Sequence, residues 1–193
     1  MLTNKLSQKS PPDAHIQVPP GLPGIIGPMK AYPETAKPLN ELAELLLVKD
    51  SPQFSKAERE TVANYVSYLN QCVFCSESHA AVADVHWNKP GLSKQVWESP
   101  QQAPISERLR SLLRIAAKVQ KAPGTVTKED ISIALKLGAT EHDVHDTVLI
   151  AAAFCMYNRY VDGLGTFAPP RGDLAYQGIG KMLAETGYKN AVP

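Results

Sequence analysis

From Leu39 to the C-terminus the chain repeats one local signal, a helix start followed by an apolar stripe at helical spacing. Leu39, Leu42, Leu45, Leu46 and Leu47 form the first stripe, which ends at Asp50–Pro52. Ser55 with Glu58 has the form of a capping box, and Val62, Val66 and Leu69 follow it. Ser106 can cap a helix carrying Leu109, Leu112, Leu113, Ala116 and Val119, closed by Pro123–Gly124. Thr127 with Asp130 opens another, with Gly138 placed as its C-terminal cap, and Thr140 with Asp143 opens a long one through Tyr157. Asp173 opens the last, stopped by Gly187. No segment alternates apolar and polar residues as a half-buried strand does. The expected fold is therefore all-α, a single-domain helical bundle over residues 39–193 with about six to eight helices.

Residues 1–38 differ. They hold eight prolines (Pro11, Pro12, Pro19, Pro20, Pro23, Pro28, Pro33 and Pro38), which fix φ and remove donors. Ile16, Val18, Leu22, Ile25, Ile26 and Met29 are too apolar for a solvated tail. The expectation is an extended arm, without regular helix, lying on its own domain or on a neighbouring subunit.

The chain's 193 residues suffice for one domain with a real core, and 44% hydrophobic with 20% charged residues is globular composition. A net charge of +1 with no polybasic run gives no footprint for nucleic acid. The polar start, Met1–Ser10, lacks the apolar core of a signal peptide, and runs such as Val148–Met156 are too short to span a bilayer. A cytoplasmic location and no membrane partner are expected. In a reducing compartment, three cysteines do not make a disulfide framework, and a close pair points to catalysis or metal binding.

That pair is Cys72-x-x-Cys75, with His79 four residues on. If a helix begins near Cys72, at about 100° per residue the three share one face, and Cys75 and His79 are i,i+4 neighbours. A thiolate, not a thiol, attacks peroxides and disulfides, and a helix N-terminus and an imidazole both favour it. Attack on a peroxide leaves a sulfenic acid, which a second thiol one turn away converts to a disulfide. The helix dipole favours Cys72 as the attacking thiol, whereas the contact with His79 favours Cys75. A specific base usually decides thiolate formation, so Cys75 is assigned as attacking and Cys72 as resolving. The same residues have blander readings. Two cysteines can pack as small hydrophobes. Cys72, Cys75 and His79 could also ligate zinc, but a structural site needs a fourth ligand, and His86 lies two turns on, roughly 10 Å along the axis.

Glu60 lies 12 positions before Cys72 (72 − 60), roughly 18 Å on a continuous helix. It can reach the cysteines only if the chain breaks near Asn70–Gln71 and folds back. With Asn64 and Ser67 it lies opposite the apolar stripe, and spacing alone reads that face as solvated. His142 and His145 read as exposed, and His15 lies in the arm. Cys155 reads as core. Asn158 and Arg159 interrupt an apolar run and suit a helix contact or a subunit interface.

Glu60-x11-Cys72-x2-Cys75-x3-His79 resembles the signature of the alkylhydroperoxidase D / carboxymuconolactone decarboxylase superfamily. Arg59–Glu60, Tyr65–Val66–Ser67, Leu69–Asn70–Gln71–Cys72, Ser78–His79 and the run Tyr157–Gly165 are similar to its peroxidase-related branch. The resemblance covers about Leu39 to Phe167. It implies an all-helical fold, homo-oligomers and peroxidase chemistry through a Cys72–Cys75 disulfide, with Glu60 and His79 relaying protons. Phe74 stands where the best-known enzymes of the family carry a second histidine between the cysteines. The decarboxylase branch typically lacks the cysteine pair, so lactone decarboxylation is not expected.

The expected function is reduction of hydroperoxides through a Cys72–Cys75 cycle, with Cys75, Cys72, His79 and Glu60 as the site. No cofactor motif for haem, flavin or nicotinamide is present, so electrons come from an external dithiol. The rivals are a disulfide reductase or another catalyst on the same scaffold, a non-catalytic redox-sensing oligomer, and a structural zinc site.

Overall fold

The computed structural model describes residues 14–49, 51, 53–189 and 191. Among these residues it is all-helical: α1 Ile26–Ala31, α2 Pro33–Leu47, α3 Lys56–Leu69, α4 Val73–Trp87, α5 Leu92–Glu98, α6 Glu107–Lys121, α7 Lys128–Lys136, α8 Glu141–Gly163 and α9 Ala175–Thr186, with a single 3-10 turn at Pro123–Thr125. Helix α3 runs through the centre, packed by α4, α8, α6 and α5, and α9 lies on the far side of α4.

The local start signals are realised as hydrogen bonds. Ser55 and Glu58, Thr127 and Asp130, and Thr140 and Asp143 form reciprocal capping boxes, and Ser106 Oγ accepts the Leu109 N–H. Gly138, just past α7, has φ +93°. Asp130 also takes the Lys118 ammonium at 2.6 Å, and Lys118 with the two Thr127 bonds draws its pKa down to about 2. A carboxylate depressed in the folded state adds stability above its ordinary value and loses it as pH falls toward the folded one. Asp130→Asn should therefore cost about 1 kcal/mol or less at pH 7, the usual scale for a cap with a surface pair. That gap should close between the ordinary 3.8 and about 2, which urea midpoints measured at successive pH values will show.

Two expectations need correction. Residues 26–38 are not extended: α1 and most of the first half of α2 lie there. Pro33 sits at the first position of α2, where its missing N–H leaves no bond unmade. Pro38 lies inside α2 but on its exposed side, with Glu34, whose carbonyl loses that partner, also exposed to water. Residues 14–25 do run without regular structure over the end of α8, where the His15 N–H donates to the Leu164 carbonyl (2.8 Å) and the Gly24 N–H to that of Phe167 (2.9 Å). Residues 1–13 of the expected arm lie outside the described residues.

The second correction concerns α3. Arg59, Glu60, Thr61, Asn64 and Ser67 are all buried, so its polar face is not solvated. It is covered by α4 and α8, and most of its polar groups are paired internally, although Asn64 Oδ1 has no hydrogen-bond partner among the described residues. The Arg59 guanidinium donates to the Phe54 and Leu46 carbonyls (3.1 and 3.0 Å) and to Asp146 Oδ2 (2.6 Å), and Asn64 Nδ2 to the Ser76 carbonyl (2.6 Å). Helix periodicity within α3 cannot register polar partners supplied by other helices.

Candidate active site

The site depends on the turn between α3 and α4. Asn70 caps α3, Gln71 takes φ +62°, and Cys72 returns to extended backbone as the cap of α4. A left-handed conformation at a residue other than glycine costs about 1–2 kcal/mol, and a polar network holds it here. Asn70 Nδ2 donates to Asn158 Oδ1 (2.7 Å), Gln120 Nε2 to Asn70 Oδ1 (2.8 Å), and Asn158 Nδ2 to Ser67 Oγ (3.0 Å). Asn158 thus makes a contact between helices, while Arg159 is exposed and bonds the Cys155 carbonyl.

The reversal lays α4 against α3 and brings Glu60 beside the cysteine helix. Glu60 is 1% exposed, and its Oε2 lies 2.8 Å from His79 Nδ1. The ring of His79 packs edge-on to Phe154 at 4.6 Å between centroids. Glu60 occupies Nδ1, so Nε2 is the ring nitrogen left for chemistry.

Both thiols are free and buried. They differ in surroundings. Cys75 lines a largely apolar cavity of about 90 Å³, with Ser78, His79, Phe74 and Tyr188. The interaction with the neighbouring Cys75 side chain, followed by burial, pushes the Cys72 thiol far up, and Asp162 adds to it. Asp162, at the end of α8, is itself raised by burial and partly lowered by its bond to Cys72. The two adjacent buried thiols thus hold on to a proton between them. Ser78 is buried, yet its hydroxyl has no hydrogen-bond partner among the described residues.

Phe74, between the cysteines, is buried against Tyr176 and carries the arm. Gly24 approaches it so closely (φ +56°) that a Cβ there would lie 2.0 Å from the Phe74 ring. Ile25, Ile26 and Met29 then wall the cavity.

One site residue escaped the sequence reading. Tyr188, just past α9, donates its hydroxyl to Glu60 Oε1 (2.6 Å), lies 3.2 Å from His79 Nδ1 and stacks on the His79 ring. No motif or periodicity marks it. Other candidates stay apart. His86 is half-buried and its pKa is lowered chiefly by burial. Cys155 is half-buried and packs against the core. His142 and His145 are exposed and, with Asp146, place three ligating atoms within 4.8 Å of one another. Cations already sit on that cluster: Lys49 Nζ lies 2.8 Å from His142 Nε2, and Arg59 holds Asp146.

Among the described residues, no helix is long and apolar enough to cross a membrane. No family model and no curated protein matches the chain. Solved structures similar to the chain include the following two. One is an alkylhydroperoxidase AhpD core, an uncharacterized peroxidase-related protein from Ralstonia eutropha JMP134. It has a TM-score of 0.76 and 25% identity, over 88% of this chain and 97% of that one. The other, an uncharacterized peroxidase-related protein from Silicibacter sp. TM1040, has a TM-score of 0.70 and 26% identity, over 79% of this chain and 78% of that one.

Proposed function

We propose, for a chain that groups with the peroxidase-related branch of the alkylhydroperoxidase D-like superfamily, a thiol-dependent peroxidase activity run by the Cys72–Cys75 pair. The observation that carries this reading is the common cavity of Cys75 and His79, with Glu60 buried behind His79 at 2.8 Å.

His79 takes the Cys75 proton through Nε2, and the imidazolium so formed is paired with the Glu60 carboxylate. The Cys75 sulfur attacks the terminal oxygen of a hydroperoxide. The O–O bond breaks, the departing alkoxide takes the proton from His79 and leaves as an alcohol, and Cys75 becomes a sulfenic acid. The Cys72 thiol then attacks the Cys75 sulfur, a disulfide forms, and the sulfenic oxygen leaves as water. An external dithiol, by exchange, restores both thiols. The unpartnered Ser78 hydroxyl in a largely apolar cavity suits a peroxide oxygen, since a buried hydroxyl gains most from a polar guest. The working form proposed is a cytoplasmic homo-oligomer. Leu149 and Met156, one face of α8, stay exposed in the single chain and suit a subunit contact.

The test is a thiol count on the native protein before and after one equivalent of a small hydroperoxide, followed by peptide mapping. Loss of two thiols with a Cys72–Cys75 bridge is expected. Three unreacted thiols would overturn the reading and favour packed or metal-protected cysteines. Faster turnover of small disulfides than of hydroperoxides would favour the reductase instead.

A further inference from the structure

We propose that Tyr188 is a positioning residue of the site, and that the segment after α9 is a strap holding it there: its hydroxyl fixes the Glu60 carboxylate that orients His79 toward Cys75. The geometry is specific. A buried carboxylate has two oxygens to satisfy. His79 takes Oε2 and the Tyr188 hydroxyl takes Oε1 at 2.6 Å, so the carboxylate is held from both sides. The Tyr188 ring lies nearly parallel to that of His79 (16°, 5.7 Å between centroids), with Phe154 edge-on to the same imidazole, so the ring has little freedom to rotate.

The strap is anchored independently of this contact. Glu44, on α2, accepts the N–H groups of Tyr188 (2.7 Å) and Lys189 (3.2 Å) on one carboxylate oxygen. Gly187 makes the turn at φ +72°, and a Cβ there would lie 2.5 Å from the same oxygen. A side chain at this position is disfavoured by backbone conformation and would displace the Glu44 carboxylate that anchors the strap. Tyr188 and Ala191 both line the Cys75 cavity, so the strap forms part of its wall.

Burial, followed by the charge of Glu60 and the bond to it, drives the Tyr188 phenol well above its ordinary value, so it remains a donor across the working range. The other groups facing the cluster are His79 and His86 from α4, Glu44 from α2, and Lys56 on Glu60's own helix. Cys72 and Asp162 face the thiol side. Without the Tyr188 hydroxyl the carboxylate is held on one oxygen only. The imidazolium formed when His79 accepts the thiol proton is then less well paired, and Cys75 ionises less readily.

The assignment deepens the peroxidase reading but is read on the thiol itself. Tyr188→Phe keeps the stacked ring and removes only the hydroxyl, and its melting curve will show that the fold is kept. The rate of Cys75 alkylation by iodoacetamide is followed against pH in the native protein and the variant, with modified Cys75 quantified by peptide mapping. The ionisation limb should move to higher pH by about one unit, with alkylation at pH 7 about tenfold slower, the usual effect of removing a partner that orients a functional histidine. Glu44→Gln, which weakens the anchor, should move the limb in the same direction by less. If the limb of the folded Tyr188→Phe protein superposes on that of the wild type, Tyr188 merely fills space and the proposal fails. If the limb moves while no hydroperoxide is turned over, the positioning role stands and the peroxidase reading fails.

Discussion

Cys75→Ser should leave a folded protein with hydroperoxide turnover lower by about a thousandfold or more, the order of loss when a nucleophile with its own base is removed. A serine hydroxyl has too high a pKa to be ionised by a neighbouring imidazole to any useful extent, and oxygen is a poor nucleophile toward peroxide oxygen. The substitution is nearly isosteric in a wall already lined by Ser78, so little stability should be lost. Cys72→Ser should behave differently. Cys75 still opens on the cavity, so one equivalent of hydroperoxide is consumed and the reaction then stops. The Cys75 sulfenic acid persists for trapping by a cyclic dione. The reason is that Cys75 lines the cavity whereas Cys72, buried beside it, does not, and is needed only to close the disulfide. A stopped-flow burst with mass analysis separates the two variants. Reversal of the pattern, with a single turnover in Cys75→Ser and none in Cys72→Ser, would exchange the two roles. Full activity in Cys75→Ser would exclude a thiol peroxidase altogether.

Arg59→Met should cost about 3–5 kcal/mol, the scale for removing one partner of a buried ion pair. The guanidinium is fully buried and answers two carbonyls and the Asp146 carboxylate, with its charge over the Phe54 ring at 4.7 Å. Methionine fills much of the volume but takes the donor from both carbonyls and leaves Asp146 to His145, His142 and Lys49 alone. For a chain of this size that corresponds to a melting temperature lower by about 6–20 °C. The double variant Arg59→Met/Asp146→Leu should recover part of the loss, since it also removes the largely buried carboxylate that has lost its closest partner. Calorimetry on the single and double variants will test this. A shift of under a degree in Arg59→Met would show that the network adds nothing. Arg59 and Glu60 are neighbours in sequence but face different partners, one joining α2 to α8 and the other joining α4 to the strap. The first should change stability, and the second the behaviour of the thiol.

The helical fold, and the placing of Cys75 beside His79 in the candidate site, were legible in the sequence because their determinants are local. A capping box is written within four residues, and Ser55–Glu58, Thr127–Asp130 and Thr140–Asp143 form where the sequence places them. Cys75 and His79 meet a cavity wall together because four residues make about one helical turn. The short helices α1 and α5 carry too few periodic positions to be read in advance.

Tertiary structure alone decided where the polar side of α3 goes. Spacing could count Glu60, Asn64 and Ser67 on one face but could not say whether water or another helix covers it. The answer depends on the reversal at Gln71, held by Asn70, Asn158 and Gln120 from three separate helices or turns. Tyr188 is more remote still, 128 residues from the carboxylate it bonds. A hydrogen bond between distant residues leaves no periodic trace along the chain, because its partners are brought together by the packing of every element between them.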